Sequence, residues 1–267
     1  MLQKEIVLTS TQNAQVKQWK QLLKKRDERE LRHEYIVEGE HMVQEALNEG
    51  VVNALLLQED KKEHFSALLS MSQRQDICVY LLSSNIISAI CDTKTPQGIL
   101  AVCKMYDNVS QFTTKYVVAL ENVQDPGNVG TIIRTLDAIG NASLLLTKRS
   151  VDVYSPKTLR ASMGGVFRVP IVVCEEMTST LDDMTAQGYD VYAGSLHGLP
   201  FYDRPYNGTK NICLLIGNEG AGLSDEILRH ATHQVKLPMY GKAESLNAGV
   251  ACAVMLYDFV RIDNQQP

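Results

Sequence analysis

Three polar, glycine-bearing segments in the second half of this 267-residue chain carry the side chains best suited to chemistry. The first is Glu121-Asn122-Val123-Gln124-Asp125-Pro126-Gly127-Asn128-Val129-Gly130, with Arg134 one helical turn further on. The second is Gly217-Asn218-Glu219-Gly220-Ala221-Gly222, and the third runs Leu237-Pro238-Met239-Tyr240-Gly241-Lys242-Ala243-Glu244-Ser245-Leu246-Asn247. They supply carboxylates, amides, a hydroxyl and a guanidinium, and glycines that let backbone approach a ligand closely. Each also has a plain structural reading. Asp-Pro-Gly-Asn is good turn and helix-capping chemistry, and Gly217, Gly220 and Gly222 could serve turns alone. One such segment would be read as structural, but three placed directly after buried strands point to a site. No G-x-G-x-x-G fingerprint and no G-x-x-x-x-G-K-[ST] loop is present, so the ordinary nucleotide motifs are absent.

The strands that must position these segments are short apolar runs at 117–120, 143–146, 169–173, 190–193, 212–216 and 234–237. Helical patterns lie at 132–139, closed by Gly140, at 156–163, and from about 245 to 261. This half reads as an open, mostly parallel α/β sheet with helices on both faces, and such sheets bind ligands outside the carboxyl ends of their strands. The first half shows the same alternation on a smaller scale. Thr9-Ser10-Thr11 gives a capping signal before an amphipathic run with Val16, Trp19, Leu22 and Leu23. Strands follow at 35–37, 54–57, 79–81 and 99–102, with helices at 39–47 and 86–90 and a polar helix-like stretch through Leu69. The expected organisation is an α/β domain over 1–105, a linker over 106–115 whose least periodic part is Asp107-Asn108-Val109-Ser110-Gln111, and a second α/β domain over 116–267.

Composition bounds the rest. Hydrophobic residues make up 45% and charged residues 21%, enough apolar material for a real core and too much for intrinsic disorder. No run reaches the roughly 18 apolar residues that span a bilayer, and the N-terminus lacks a signal-peptide pattern, so a cytoplasmic location is expected. Six scattered cysteines form no C-x-x-C pair and read as reduced thiols, mostly in the core, with no metal site. A formal charge of −5 argues against indiscriminate coating of polyanions and leaves room for a local basic patch.

The motifs N-x-x-D-P-x-N-x-G-x-x-x-R (Asn122 to Arg134), I-G-N-E-G-x-G (Ile216 to Gly222) and L-P-M-x-G-x-x-x-S-L-N (Leu237 to Asn247) resemble, in order and spacing, those of the SpoU/TrmH family. These are S-adenosylmethionine-dependent RNA ribose 2′-O-methyltransferases of the SPOUT superfamily. The resemblance implies an α/β trefoil knot for 116–267, a topology that no pattern of elements would suggest. Tyr35-Ile36-Val37-Glu38-Gly39 and Val43-Gln44-Glu45-Ala46-Leu47 resemble the family's N-terminal, L30e-like substrate-binding domain. Ala248-Gly249 depart from the Val-Ser more usual after the final asparagine, which reads as a subfamily mark.

The resemblance implies backbone contacts to the cofactor from Gly217, Leu237 and Leu246, with Gly194, in a loop Gly194-Ser195-Leu196, and Met239 completing its pocket. Arg134 is implied as the residue acting on the 2′-hydroxyl. Asn128 is expected to orient Arg134 or the ribose, Glu219 to fix a loop or an arginine, and Ser245 and Asn247 to hold loops at the cofactor's edge. RNA as partner gives a role to Lys24, Lys25 and Arg26 on the first helix, otherwise a solvated face of i,i+4 ion pairs with Lys17, Lys20, Arg29 and Arg32. It does the same for Lys148, Arg149, Lys157, Arg160 and Arg168 around Arg134. The last helix is apolar on more than one face (Val250, Ala251, Val254, Met255, Leu256, Phe259), and the family forms homodimers through it. Ribosomal RNA, 23S above all, is the expected substrate. A tRNA methyltransferase or an inactive RNA-binding scaffold is the alternative, and a nucleotide-dependent oxidoreductase is disfavoured by its missing fingerprint.

Overall fold

The structure is a computed structural model that describes residues 5–106 and 112–265. The most linker-like residues, 107–111, lie outside the described residues. The chain divides into two compact units, Met1–Asp107 with Tyr154–Phe167, and Asn108–Val153 with Arg168–Pro267.

The first unit contains β1 (Glu5–Leu8), α1 (Ala14–Lys24), α2 (Arg26–Arg32), β2 (Glu34–Glu38), α3 (Glu40–Asn48), β3 (Val52–Gln58), α4 (Ser66–Arg74), β4 (Cys78–Leu82), α5 (Ser84–Ile90) and β5 (Ile99–Lys104). Its five strands form one mixed sheet in the order β1-β4-β3-β5-β2, with β5 antiparallel to both neighbours. The Thr9-Ser10-Thr11 signal stands near the helix start, but the cap itself is Asn13, whose Oδ1 accepts from the Gln15 amide at 2.8 Å. Val16, Trp19 and Leu22 on one face of α1 then pack against Ile36, Leu56, Leu82, Ile86 and Leu100. The basic run is divided rather than continuous. Lys24 and Lys25 are exposed, Arg26 pairs with Glu30 at 2.7 Å and Arg32 with Glu28 at 3.3 Å. Arg29 is buried and donates to the Leu22 carbonyl, so it holds α2 against α1 and does not face solvent.

The second unit contains β6 (Tyr116–Leu120), α6 (Pro126–Ile139) and β7 (Ala142–Thr147). After α7 (Pro156–Ser162) come β8 (Ile171–Cys174), α8 (Met177–Ala186), β9 (Tyr189–Pro200), β10 (Asn211–Ile216), α9 (Asp225–Arg229), β11 (His233–Lys236) and α10 (Ala248–Asp263). Residues 154–167, with α7, pack with the first unit although they lie within the stretch 116–267 expected as the second domain. There Tyr154 stacks on Tyr35 at 4.5 Å between ring centroids, and Arg160 pairs with Asp92 at 2.8 Å. The six strands of the second sheet are all parallel, in the order β11-β9-β10-β6-β7-β8. Both faces are covered, which is why β6, β7 and β10 read as continuous apolar runs. Order reverses between β6 and β10, the place where a parallel sheet leaves a crevice. The register sets Ile216 level with Leu120, so the loops after these two strands leave the sheet side by side.

Four cysteines are buried and two half-buried, all as free thiols. Burial pushes the Cys174 thiol up to about 11 and that of Cys91 up to about 12, so neither forms thiolate near neutrality. No described helix is long and apolar enough to cross a membrane.

Candidate active site

The three polar segments converge on one cavity of about 800 Å³ at the carboxyl ends of β6, β9, β10 and β11. This is within the usual size of a small-molecule site. Its walls include every residue expected to touch a cofactor: Gly194, Gly217, Leu237, Met239 and Leu246. Asn128, Glu219, Ser245 and Asn247 line it as well.

A relay of side chains holds the segments together. Glu219 accepts hydrogen bonds from the Gln124 amide at 3.1 Å, the Asp125 amide at 3.0 Å and the Asn128 side chain at 3.0 Å. Asn128 Oδ1 in turn accepts from Asn247 Nδ2 at 2.7 Å. Asn247 Oδ1 caps α10 through the amides of Gly249 and Val250, at 3.0 and 3.2 Å. One carboxylate and two amides thereby tie the first, second and third segments into a single unit. Burial pushes the Glu219 carboxyl up, but the hydrogen bonds from Asn128 and from backbone amides outweigh it and hold the group below its ordinary value. It is a fixed anion that holds loops together, and it makes no bond to an arginine.

Backbone shape does the rest. Asp125 caps α6 by accepting from the Asn128 amide at 2.8 Å, and Pro126 takes the first helical position. The helix therefore begins six residues before the 132 expected from its apolar period. Asn128 and Arg134 share it. A Cβ on Gly217 would lie 2.2 Å from the Gly222 carbonyl carbon and 2.3 Å from the Leu223 nitrogen, so only glycine lets the second segment fold back on itself. The expected loop at Gly194-Ser195-Leu196 is instead an irregularity inside β9. Pairing with β11 jumps from Ala193 to Leu199 between Gln234 and Val235, and residues 194–197 swing out as a cavity wall. Gly198 brings the strand back, since a Cβ there would lie 2.3 Å from the Gln234 backbone.

Arg134 stands apart from this relay. It is exposed on α6, is not among the cavity-lining residues, and makes no hydrogen bond or ion pair with any described residue. Asn128, expected to orient Arg134 or the ribose, makes no bond to Arg134: its amide is taken up by Glu219 and Asn247. The Gly249 departure also has a structural reason. A Cβ there would meet Thr131 of α6 at 3.2 Å, so glycine permits the close crossing of α6 and α10.

The basic residues expected around Arg134 are divided between the two units. Lys157 and Arg160 belong to the first unit. Lys148 pairs with Glu175 at 2.9 Å, and Arg168 grips Asp137 through two bonds of 2.9 and 2.8 Å. Arg149 is exposed, with its carbonyl held by Gln124. Two site features escaped sequence reasoning. Gly198 lies outside the three segments, and Gln124, which bridges the Asn122 and Arg149 carbonyls at 3.1 and 2.7 Å, carried no signal beyond its place in the first segment.

Comparison with known proteins decides what this cavity belongs to. The model of the SpoU rRNA methylase family matches residues 115–257, more than half of the chain. The chain belongs to the SpoU rRNA methylase family. Residues 13–101 match an MRM3-like substrate binding domain. Over 252 residues the chain is 37% identical to the 23S rRNA (guanosine(2553)-2′-O)-methyltransferase RlmP of Bacillus subtilis, covering 94% of this chain and 97% of that one. The S-adenosylmethionine-bound rRNA methyltransferase of Sinorhizobium meliloti superposes with a TM-score of 0.84 at 30% identity, over 98% and 99% of the two chains. The SpoU methyltransferase AviRb of Streptomyces viridochromogenes, also with its cofactor, gives 0.85 at 28% identity, over 96% and 100%. Like other SpoU proteins, this chain is an S-adenosylmethionine-dependent RNA methyltransferase. The cavity fits that cofactor. It has glycine-lined backbone at Gly217 to Gly222 and an apolar wall from Leu223, Val235, Leu237, Met239 and Met255.

Proposed function

We propose that this SpoU protein methylates a ribose 2′-hydroxyl of 23S ribosomal RNA and does so as a homodimer. The observation that carries the reading is the Glu219–Asn128–Asn247 relay around one cavity of about 800 Å³. The 23S rRNA activity in the name of a relative matched over nearly its whole length supports the choice of RNA.

When bound, S-adenosylmethionine supplies an already activated methyl group. The chain's task is then to hold the donor, align the sugar and make the hydroxyl nucleophilic. Backbone groups of Gly217, Leu237 and Leu246, with Gly194 and Met239, hold the donor, while Ser245 and Asn247 close its edge. Arg134 is the residue we assign to the ribose. A guanidinium is no proton acceptor, so the proton of the 2′-hydroxyl is left to the target's own phosphate or to water. Arg134 acts by lowering the hydroxyl's pKa and by clamping the adjacent phosphate bidentately. An exposed arginine with no partner among the described residues is free for that role.

Dimerisation rests on α10. Val250, Val254 and Tyr257 are exposed along it, an apolar stripe that a second copy would cover. Since α6 packs on α10, Arg134 lies on the helix next to that stripe. We assign RNA contacts to Lys24, Lys25, Arg26, Lys148, Arg149, Lys157 and Arg160, and a substrate-binding role to the first unit.

The test is transfer of labelled methyl from S-adenosylmethionine to unmodified 23S rRNA and to unmodified tRNA, with the product mapped for 2′-O-methylation. Methylation of 23S rRNA alone is expected. Transfer to tRNA alone replaces the substrate, and donor binding without transfer to either RNA leaves a scaffold. A single species near 30 kDa in light scattering at micromolar concentration removes the dimer.

A further inference from the structure

The third segment places an aromatic ring at the rim of the cavity and leaves it in solvent. Tyr240 is 93% exposed, the most exposed of the large hydrophobic side chains described. It follows Met239 and precedes Glu244, both of which line the cavity, yet it is not itself among the lining residues. Its hydroxyl makes no hydrogen bond to a described residue. A Cβ on the next residue, Gly241, would have nothing within 4 Å, so the segment around Tyr240 is open on its outer side. Among the described residues that line the cavity there is no phenylalanine, tyrosine or tryptophan. Tyr202 and Tyr257, the other large aromatics exposed in this unit, sit elsewhere: beside Phe201 and on α10.

We infer that Tyr240 is a stacking platform for the unpaired nucleobase of the nucleotide being methylated. The inference rests on the RNA reading above and deepens it. A sugar that receives a methyl group from the donor must sit at the cavity mouth, and its base is one glycosidic bond away. A base held in a duplex cannot follow the sugar into an in-line approach, whereas an unstacked one needs a new surface for its π face. An aromatic ring at the rim supplies that surface, and stacking of this kind is tolerant of base identity. Tyr240 therefore selects for an unpaired, looped target and contributes little to choosing among the four bases. Lys242, exposed two residues on, adds a cation for the neighbouring backbone.

The experiment uses the full chain, S-adenosylmethionine and unmodified 23S rRNA transcript. Tyr240→Ala is expected to raise the KM for the transcript about tenfold or more. Its donor affinity by calorimetry should stay within about twofold. Tyr240→Phe and Tyr240→Trp, which retain a ring, should restore the KM. Tyr240→Trp also gives a direct signature, because the chain's single tryptophan, Trp19, is only 1% exposed. Iodide then reports on the new tryptophan. Its quenching should fall when the transcript is added and not when the donor alone is added. An unchanged KM in Tyr240→Ala, or a tryptophan at 240 that stays open to iodide with RNA bound, overturns the stacking role. So does a Tyr240→Ala chain that changes oligomeric state, since the ring would then belong to a contact between copies. A wild-type chain that binds the transcript without methylating it defeats the functional reading alone, because the quenching still reports the stack. A wild-type chain that binds no transcript defeats both.

Discussion

In the first unit β5 runs antiparallel between β2 and β3, whereas every pairing among β6 to β11 is parallel. One gap in the first unit, among Leu23, Ile36, Glu38, Met42, Leu159 and Arg160, holds about 10 Å³, at the lower limit for one water. The second unit opens the cavity of about 800 Å³ that the site segments line. Both units have buried apolar cores of the same residue types, so composition does not separate them. Strand direction does. A mixed sheet sends its loops to both ends, while a parallel sheet sends every strand's exit to one end, where a reversal of order opens a crevice.

Five variants press on that difference. Gly217→Ala should have the largest effect, abolishing measurable donor binding by calorimetry, because the added carbon overlaps the Gly222 backbone at 2.2 Å. Its counterpart in the first unit, Gly98→Ala, adds a carbon 2.8 Å from the Lys61 side chain at a φ of +93°. That change should destabilise the first unit and leave donor affinity within about twofold. Equal loss of donor affinity in both variants would break the contrast.

Arg134→Ala should reduce methyl transfer by about 10² to 10³, the usual loss for one electrostatic contact to a reacting oxygen. Donor affinity should hold, since Arg134 is outside the cavity wall. A matching fall in donor affinity would place the guanidinium at the cofactor instead.

Glu219→Gln should weaken donor binding by about tenfold, as charge-assisted bonds to Gln124, Asp125 and Asn128 become neutral ones. A pH series sharpens this. The folded carboxyl lies below its ordinary value, so its contribution is fully present above that ordinary value and is lost as pH falls through the lowered one. The wild-type chain should keep its donor affinity down into the usual carboxylate range and lose it below, while Glu219→Gln should lack that acid limb.

The smallest effect belongs to the first unit. Replacing the exposed Lys24 and Lys25 together by alanine should weaken RNA binding a few-fold at moderate salt and lower the slope of log K against log salt by about one to two. Donor affinity should not change. A salt slope unaffected by the double substitution would remove this helix from the RNA footprint.

Much of this was legible in the residues. The β6, β7 and β10 runs were found because a strand buried on both faces must be apolar throughout. The three site segments were found because each carries glycines and amides directly after such a run. The start of α6 was missed because Pro126-Gly127 interrupts the apolar period, although Asp125 and Pro126 are themselves a cap and a first turn. The excursion of β9 was missed because bulges depend on the partner strand, here β11, which lies forty residues further along the chain. The ion pairs of the basic residues were missed for a related reason. Lys148, Arg160 and Arg168 are near one another in sequence, but Glu175, Asp92 and Asp137 reach them only in the folded chain.

The sequence alone determined the elements, their buried faces and the chemical character of each site segment, because those depend on local spacing and on residue type. Only the tertiary structure decided that α7 joins the first unit, that Asn128 bonds Glu219 and Asn247 rather than Arg134, and that Gly217 must be glycine. Each of those turns on strand order and register, which bring side chains about a hundred residues apart within 3 Å, and such distances have no counterpart in the order of letters along a chain.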